Sequence, residues 1–569
     1  MILKKLYDYA QNAEGIPAKG TELKEIPYVI VIDSLGRFLR FECKRIDKRS
    51  CAAFIVPQGV QRTSAPKTNT LWDNGKYVLG FEEKDAACHD LFVERIRLIA
   101  EKHPDDKSAA AVSRFYDTPT EEIRRSMETD PLYNDAMDSY KSNFSFRLEG
   151  DSLIMAEKIY LAEGFDESDE GAGKKGICLV TGEYDNIVRT TTPTPLPGNS
   201  PMAALVSFQV NSGYDSYGKS QAYNAPISTG AEWGVTAALK QMLGKESRNK
   251  ANIGKRTFLF WSGRQNETGN DLSDCLAFLL EHPAKTADNG AVNAEKVKRL
   301  IKAIYSGEIR TTLDDRFYIL GLAPNVGRIA VVFWNDCQLR EFAGKLLAHF
   351  SDMEIVDTRL PQNRKPYSGV FAMIPAVTLG GKISDALPGL PEAIMEAIVN
   401  GTSYPMALYT SALERIRHEL SDYTVGIQRA AILKAYINRT DNNKQHKQLK
   451  VMLDKTNDNP GYLCGRLAAV LEKIQNDING GDSIRTRYMG SASSTPATVF
   501  PAMLNVSIHH SEKLNDAARN YFEQLKQEIL DKMPVDGFPA HLGLSDQGRF
   551  FVGYYHQRAD LYTKKENKE

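Results

Sequence analysis

The feature that most constrains this chain is a change of apolar period along its length. Up to about Trp334 the apolar residues come in short runs: YVIVI at Tyr28–Ile32, AFIVP at Ala53–Pro57, RTFLFW at Arg256–Trp261, then Arg316–Leu322 and Arg328–Trp334. Runs of this length, rich in Val, Ile, Phe, Tyr and Trp, read as strands. From Pro391 onward the apolar residues recur three and four apart, which is the helical period. Gly380, Gly381, Pro388, Gly389 and Pro391 mark the change. The fold class expected is α+β and multidomain: a mixed α/β N-terminal and central region, then an all-α C-terminal helical bundle. A chain of 569 residues admits about three or four domains. The expected divisions are residues 1–150, 151–390, a helical linker at 391–450, and 451–569.

Within that frame, Tyr28–Ile32 and Arg37–Cys43 flank Asp33-Ser34-Leu35-Gly36 and read as a β-hairpin. Lys84–Glu101 and Asp105–Tyr140 have helical period; Ile177–Gly182 and Ala203–Val210 read as strands. Thr190–Pro201 carries four prolines and is irregular. Ala231–Leu243, Leu272–Leu280 and Ala294–Tyr305 read as helices. The paired strands near Arg316–Trp334, followed by an amphipathic helix at Gln338–Phe350, form a β-β-α unit of the kind found in ferredoxin-like domains. In the tail, Pro460–Ile478, Thr495–His510, Leu514–Met533 and Ser545–Tyr562 suggest an antiparallel four-helix bundle. Pro501 is expected to kink or break the second of these.

Bulk properties exclude several classes. Lys+Arg 71 against Asp+Glu 72 leaves a net charge of -1, which argues against a free-standing basic nucleic-acid binder but permits local basic grooves. The seven cysteines show no C-x-x-C pair, so neither a zinc knuckle nor an iron–sulfur cluster is indicated. Their scattered, odd set suits reduced thiols in a cytosol. No signal peptide and no apolar run of about 18 residues is present. The expectation is a cytoplasmic protein with no metal and no cofactor.

Two loops carry recognition chemistry. Gln61–Gly80 holds Arg62, Lys67 and Lys76 against one acid, Asp73, with Thr63, Ser64, Asn69 and Asn74 as neutral hydrogen-bonding groups. Leu71 and Trp72 form an apolar foot. Cations reach phosphates, while amides and hydroxyls meet base edges without adding negative charge. The same composition also suits a plain surface loop pinned by a buried Trp. Lys44, Arg45, Lys48 and Arg49 lie just upstream, as a second phosphate-contacting ridge or as a solvated edge. In Asn211–Ser228, Lys219, Gln221 and Asn224 either face a nucleic acid or satisfy buried backbone groups.

Gly213–Ser220, GYDSYGKS, fits the G-x-x-x-x-G-K-[ST] phosphate-loop pattern. Pro226 falls where the required helix would run, and the later strand RTFLFW ends without the Asp that would hold magnesium. A metal-nuclease reading would have to draw on Asp314, Asp315 and Asp441, which no motif joins.

Five stretches in order carry a family likeness: RTSAPKTNTLWDN with YVLG, CLVTGE at Cys178–Glu183, LVSFQVNSGYDSYGKSQAYNAPIS at Leu205–Ser228, NPGYLCGRLAAVLEKIQ at Asn459–Gln475, and FPAHLGLSDQGRFFVGYYHQR at Phe538–Arg558. Together they resemble the large subunit of the type I-C CRISPR surveillance complex, Cascade. The resemblance implies a non-catalytic subunit. It would recognise a protospacer-adjacent motif in double-stranded DNA, promote opening and R-loop formation, stabilise the displaced strand, and recruit a helicase–nuclease. It also implies the partners: a guide RNA, the backbone subunits, the subunit that binds the guide-RNA 5′ end, and a small subunit made by internal translation, for which Met452 is a candidate start. The tail resembles that small subunit.

On this reading Lys67, Asn69 and Asn74 read the motif, and Arg62, Thr63, Ser64, Lys76, Lys48 and Arg49 hold the DNA backbone. Lys219, Gln221 and Asn224 form a second DNA loop. Lys444, Lys447, Lys450, Arg466, Lys473, Arg485 and Arg487 line a path for the displaced strand, with Tyr462 and Tyr488 as stacking faces. The competing readings are a metal-dependent nuclease, an ATPase using Lys219, and a purely structural scaffold.

Overall fold

The computed structural model describes residues 2–563 apart from 48–50, 61, 63–65, 166–173, 201–202, 211–212, 214–216, 245–246, 264–298, 300, 310–314, 326, 360–368, 420–424, 441–447 and 481–482. The expected helix at Leu272–Leu280 lies outside the described residues. The chain divides into two compact units, Met1–Thr192 with Val206–Gln241, and Pro193–Leu205 with Met242–Glu569.

The first unit opens with α1 (Ile2–Asn12), then β1 (Thr21–Glu25), β2 (Tyr28–Ile32), β3 (Phe38–Cys43), β4 (Ala53–Pro57) and β5 (Asp73–Asn74). The predicted hairpin forms: β2 and β3 pair antiparallel. Asp33 closes its turn by accepting from the Leu35 and Arg37 amides, both at 2.9 Å. Gly36 sits there at φ +82°, and a Cβ would lie 2.5 Å from the Phe115 nitrogen. The turn therefore requires glycine both for its backbone and for its close packing. After β5 come α2 (Gly75–Val78), α3 (Ala86–Lys102), α4 (Lys107–Phe115), α5 (Thr120–Met127) and α6 (Tyr133–Asp138), then β6 (Asn143–Leu148). The sheet order is β3-β2-β6-β5, with β2 and β6 parallel across this helical crossover. All five residues of β2 are buried, which explains its continuous apolar run. β1 and β4 form a separate two-stranded ribbon.

Two sequence expectations fail in this region. Ile177–Gly182 is not a strand: β7 (Lys175–Ile177) ends at Ile177 and pairs with β8 (Tyr184–Asn186). The residues between them turn back, with Cys178 N–H donating to Glu183 O at 2.8 Å and Gly182 at φ +79°. The described residues of Ala203–Val210 are irregular too. There the main chain is tied by one turn bond, Ala203 N–H to Ser200 O, and by a longer-range one, Thr194 N–H to Ala203 O, in a proline-rich setting. The helix α7 (Thr229–Leu243) follows.

The strands of the second unit are β9 (Lys250–Ile253), β10 (Arg256–Ser262), β11 (Arg316–Asn325) and β12 (Arg328–Gln338) among the described residues. These pair antiparallel in the order β12-β11-β10-β9. That is a meander; among the described residues it lacks the parallel neighbour of a ferredoxin-like unit. Alternation puts Phe258, Phe260, Phe317 and Ile319 into the core. There Phe317 stacks at 4.7 Å on Phe342 of α8 (Leu339–Met353).

The rest is helical: α9 (Val370–Val377), α10 (Leu390–Asn400), α11 (Met406–His418), α12 (Ile427–Thr440), α13 (Pro460–Asn479), α14 (Ser483–Ala492), α15 (Pro496–Ser511), α16 (Asp516–Leu530) and α17 (Leu544–Tyr562). The tail has one helix more than expected, α14, and α15 runs through Pro501 without a break. α13 is the hub. It packs on α14, α15, α16 and α17, and α17 packs in turn on α12.

Candidate nucleic-acid interface

The loop after β4 is built from its foot upward. Trp72 is buried and donates from Nε1 to the Pro57 carbonyl at 2.9 Å. Leu71 is fully buried with φ +71°, a left-handed conformation that is strained for a bulky residue. Its carbonyl accepts from Ser145 Oγ at 2.9 Å. Asp73 then joins the main sheet opposite Phe144.

Asp73 is the organising group. It is 1% exposed. Its Oδ2 accepts from the Asn69 amide at 2.9 Å and from Arg62 Nη2; its Oδ1 accepts from the Asn74 amide at 2.8 Å. Burial pushes the Asp73 carboxyl up, while the Arg62 guanidinium and the amides pull it back. Arg62 also donates from Nε to the Lys67 carbonyl at 2.6 Å, and its guanidinium lies 4.1 Å from the centre of the Tyr77 ring.

The fold gathers Arg62, Lys67, Asn69, Asn74 and Lys76 on this one segment, but it gives two of the expected readers internal work. Asn69 is buried and its Oδ1 accepts from the Val60 amide at 2.9 Å. Asn74 caps α2, accepting from the Lys76 amide at 3.1 Å. Lys67 and Lys76 are half-buried. Thr63 and Ser64, and Lys48 and Arg49 upstream, lie outside the described residues. Asp73 and Tyr77 were not among the expected site residues. The available signal was that Asp73 is the one acid in a cationic loop.

In the second loop Lys219 is exposed. Gln221 Oε1 accepts from Arg189 Nε at 2.8 Å, and Asn224 Nδ2 donates to the Lys219 and Gln221 carbonyls at 3.3 and 3.0 Å. Tyr217 and Gln221 both have positive φ, +51° and +50°. No α-helix starts at Gly218-Lys219-Ser220. A short 3-10 turn spans Gln221–Asn224, and α7 begins only at Thr229. The helix N-terminus that a phosphate loop needs is therefore missing from this position.

The C-terminal basic residues divide by burial. Arg466 is fully buried, donating from Nε to Gln557 Oε1 at 2.9 Å and from Nη2 to Glu528 Oε1 at 3.0 Å. Arg485 is buried and faces Glu472 at 3.9 Å. Both arginines are interior groups and not the surface lining expected of them. Lys473 is half-buried, pairs with Asp477 and covers the Tyr562 ring. Lys450 is exposed and pairs with Asp454 at 3.0 Å, and Arg487 is exposed. Lys444 and Lys447 lie outside the described residues. Tyr462 is buried, so it offers no stacking face; Tyr488 is half-buried.

Of the acidic residues considered for a metal, Asp315 is buried, and Asp314 and Asp441 lie outside the described residues. Among the described residues no group of three or more His, Cys, Asp or Glu is arranged to hold a metal ion, and no helix is long and apolar enough to cross a membrane.

No curated protein matches the chain. A family model described as "CRISPR-associated protein (Cas_Csd1)" matches residues 3–562, nearly the whole length. The chain therefore belongs to the Cas_Csd1 family of CRISPR-associated proteins.

Proposed function

We propose that the chain is the non-catalytic large subunit of a type I-C surveillance complex, working in the cytoplasm. It recognises a protospacer-adjacent motif in double-stranded DNA, promotes R-loop formation, stabilises the displaced strand and recruits the helicase–nuclease. Its partners are the guide RNA, the backbone subunits, the guide-RNA 5′-end subunit and a small subunit from internal translation. The family match over residues 3–562 carries this reading. The cations Arg62 and Lys67, tied to the sheet through Asp73, support placing the motif reader there. Base pairing by a guide supplies long sequence specificity, so the protein needs only a few contacts to a short motif. Lys67 suits a minor groove whose edges present acceptors at A N3 and T O2, while the buried Asn69 supports the loop through the Val60 amide.

The test is duplex binding by the reconstituted complex, with matched and scrambled motifs. Wild type should prefer the matched motif; Lys67→Ala should lose about 1–3 kcal/mol of that preference as a lost groove contact, and Asn69→Ala should weaken it through the loop, by leaving the Val60 amide unbonded. A wild-type preference that both variants keep moves the reader elsewhere, with the loop around Lys219 as the next candidate. No preference in wild type overturns the recognition role. N-terminal sequencing of a short co-purifying species tests internal initiation at Met452.

A further inference from the structure

We infer that Arg62 acts on DNA through the loop and not through a phosphate: with Asp73 and Tyr77 it forms an internal clamp that fixes where Lys67 stands. This rests on the proposed reader role of the segment. Three bonds of different kinds converge on one guanidinium: the Lys67 carbonyl at 2.6 Å, the Asp73 carboxylate, and the Tyr77 ring face at 4.1 Å. Asp73 is 1% exposed and simultaneously holds the Asn69 and Asn74 amides. Asn69 closes the other side by accepting from the Val60 amide.

The clamp therefore spans Val60 to Tyr77 and sets the main chain at Lys67 and Asn69 from both sides. A base-reading side chain needs such support, because a displaced reader loses its geometry even when its own chemistry is intact. The planar fork of arginine suits the position: it bonds a carbonyl and a carboxylate at once while its face lies on an aromatic ring. A lysine ammonium keeps the charge but cannot hold all three. Arg62 is thus a positioning residue, and its effect on DNA should not follow charge.

The experiment uses the reconstituted complex with Arg62→Ala, Arg62→Lys, Asp73→Asn and, as a candidate phosphate contact, Lys76→Ala. Binding to matched and scrambled motifs is measured across a salt series, and amide hydrogen exchange is followed over residues 60–77. The clamp predicts that Arg62→Lys and Arg62→Ala both lose motif preference by roughly tenfold or more. The salt slope should stay unchanged in both, and exchange should quicken. Asp73→Asn should behave alike, although removing an acid near DNA would by simple electrostatics tighten binding. Lys76→Ala should instead lower the salt slope by about one and spare preference. The inference is overturned if Arg62→Lys matches wild type while Arg62→Ala lowers the salt slope, or if exchange over 60–77 is the same in all variants. If wild type itself shows no preference, the reader role falls. Hydrogen exchange then decides the clamp alone, quickened exchange supporting it and unchanged exchange refuting it.

Discussion

Gly465 of α13 faces the Phe550 carbonyl of α17 so closely that a Cβ on Gly465 would lie 1.9 Å from that oxygen. The contact is reciprocated: a Cβ on Gly553 would lie 2.3 Å from the Tyr462 carbonyl, and one on Gly461 2.5 Å from the Asp546 carbonyl. The two helices meet backbone to backbone, and the packing permits only glycine at these sites. Gly548 continues the pattern towards α11, where a Cβ would lie 2.1 Å from the Tyr409 hydroxyl. That hydroxyl donates to the Leu544 carbonyl at 2.7 Å. The two C-terminal motifs quoted from the sequence are thus the two sides of one helix contact.

A methyl group at Gly465 has backbone on its far side and no flexible side chain to displace. Gly465→Ala should destabilise the second unit by about 3 kcal/mol through overpacking. Gly490, on α14, has nothing within 4 Å of its would-be Cβ. Gly490→Ala should be neutral or stabilise by up to about 1 kcal/mol, since alanine is the better helix former. Urea unfolding of the two variants beside wild type checks the pair. Equal midpoints would mean that the helices can move apart at no cost.

His556 makes the helical core sensitive to acid. It is 1% exposed. Its Nδ1 shares a hydrogen bond of 3.0 Å with the Tyr462 hydroxyl, which also accepts from the Asp454 amide at 3.1 Å. Burial, helped by the nearby Lys434 charge, pushes the imidazole down to about 3 from 6.5. The unfolded chain takes up a proton near pH 6.5 and the folded chain does so only near 3. Stability from this residue is full above about 6.5 and is lost as pH falls towards 3. Between pH 7.5 and 5.5 wild type should lose about 1.4 kcal/mol more than His556→Gln. Urea midpoints at the two pH values measure the difference. Identical losses would show that the imidazole takes up its proton freely in the fold.

The strands that alternate or run apolar over five or more residues, such as Tyr28–Ile32 and Arg256–Trp261, were legible because both the period and the turn residues agreed. So were the long helices of the tail. Ile177–Gly182 misled because an apolar run is the same string whether it sits in a strand or folds over a buried thiol. Of the candidate site, the cationic loop and its Trp72 foot could be seen in the sequence. What could not be seen was direction. Asn69 and Arg466 have the composition of ligand-facing residues, and only the packing shows that Asn69 serves the Val60 amide and Arg466 serves Gln557 and Glu528.

The phosphate-loop pattern at Gly213–Ser220 should bind no nucleotide. Lys219 stands before a 3-10 turn, without a helix N-terminus to meet phosphates. Titration of the purified chain with a fluorescent ATP analogue and magnesium should give no saturable signal, and Lys219→Ala should leave that result unchanged. Saturable binding that Lys219→Ala abolishes would instead favour the ATPase reading.

The split among the C-terminal cations gives the last test, because burial assigns opposite outcomes to residues of the same charge. Arg466→Ala removes the donors to Gln557, inside the core, and to the part-exposed Glu528. It should cost about 2 kcal/mol or more of stability, since Gln557 Oε1 is left unsatisfied. At temperatures where the variant stays folded, the salt dependence of DNA binding should match wild type. Arg487 is exposed on α14. Arg487→Ala should change stability by less than about 0.5 kcal/mol. If it meets the displaced strand, it should lower the salt slope of R-loop complex formation by about one unit. Thermal unfolding and salt-series binding on the two variants check both halves. A normal slope for Arg487→Ala would remove it from the displaced-strand path, and a lowered slope for Arg466→Ala would mean that α13 opens when the complex binds DNA.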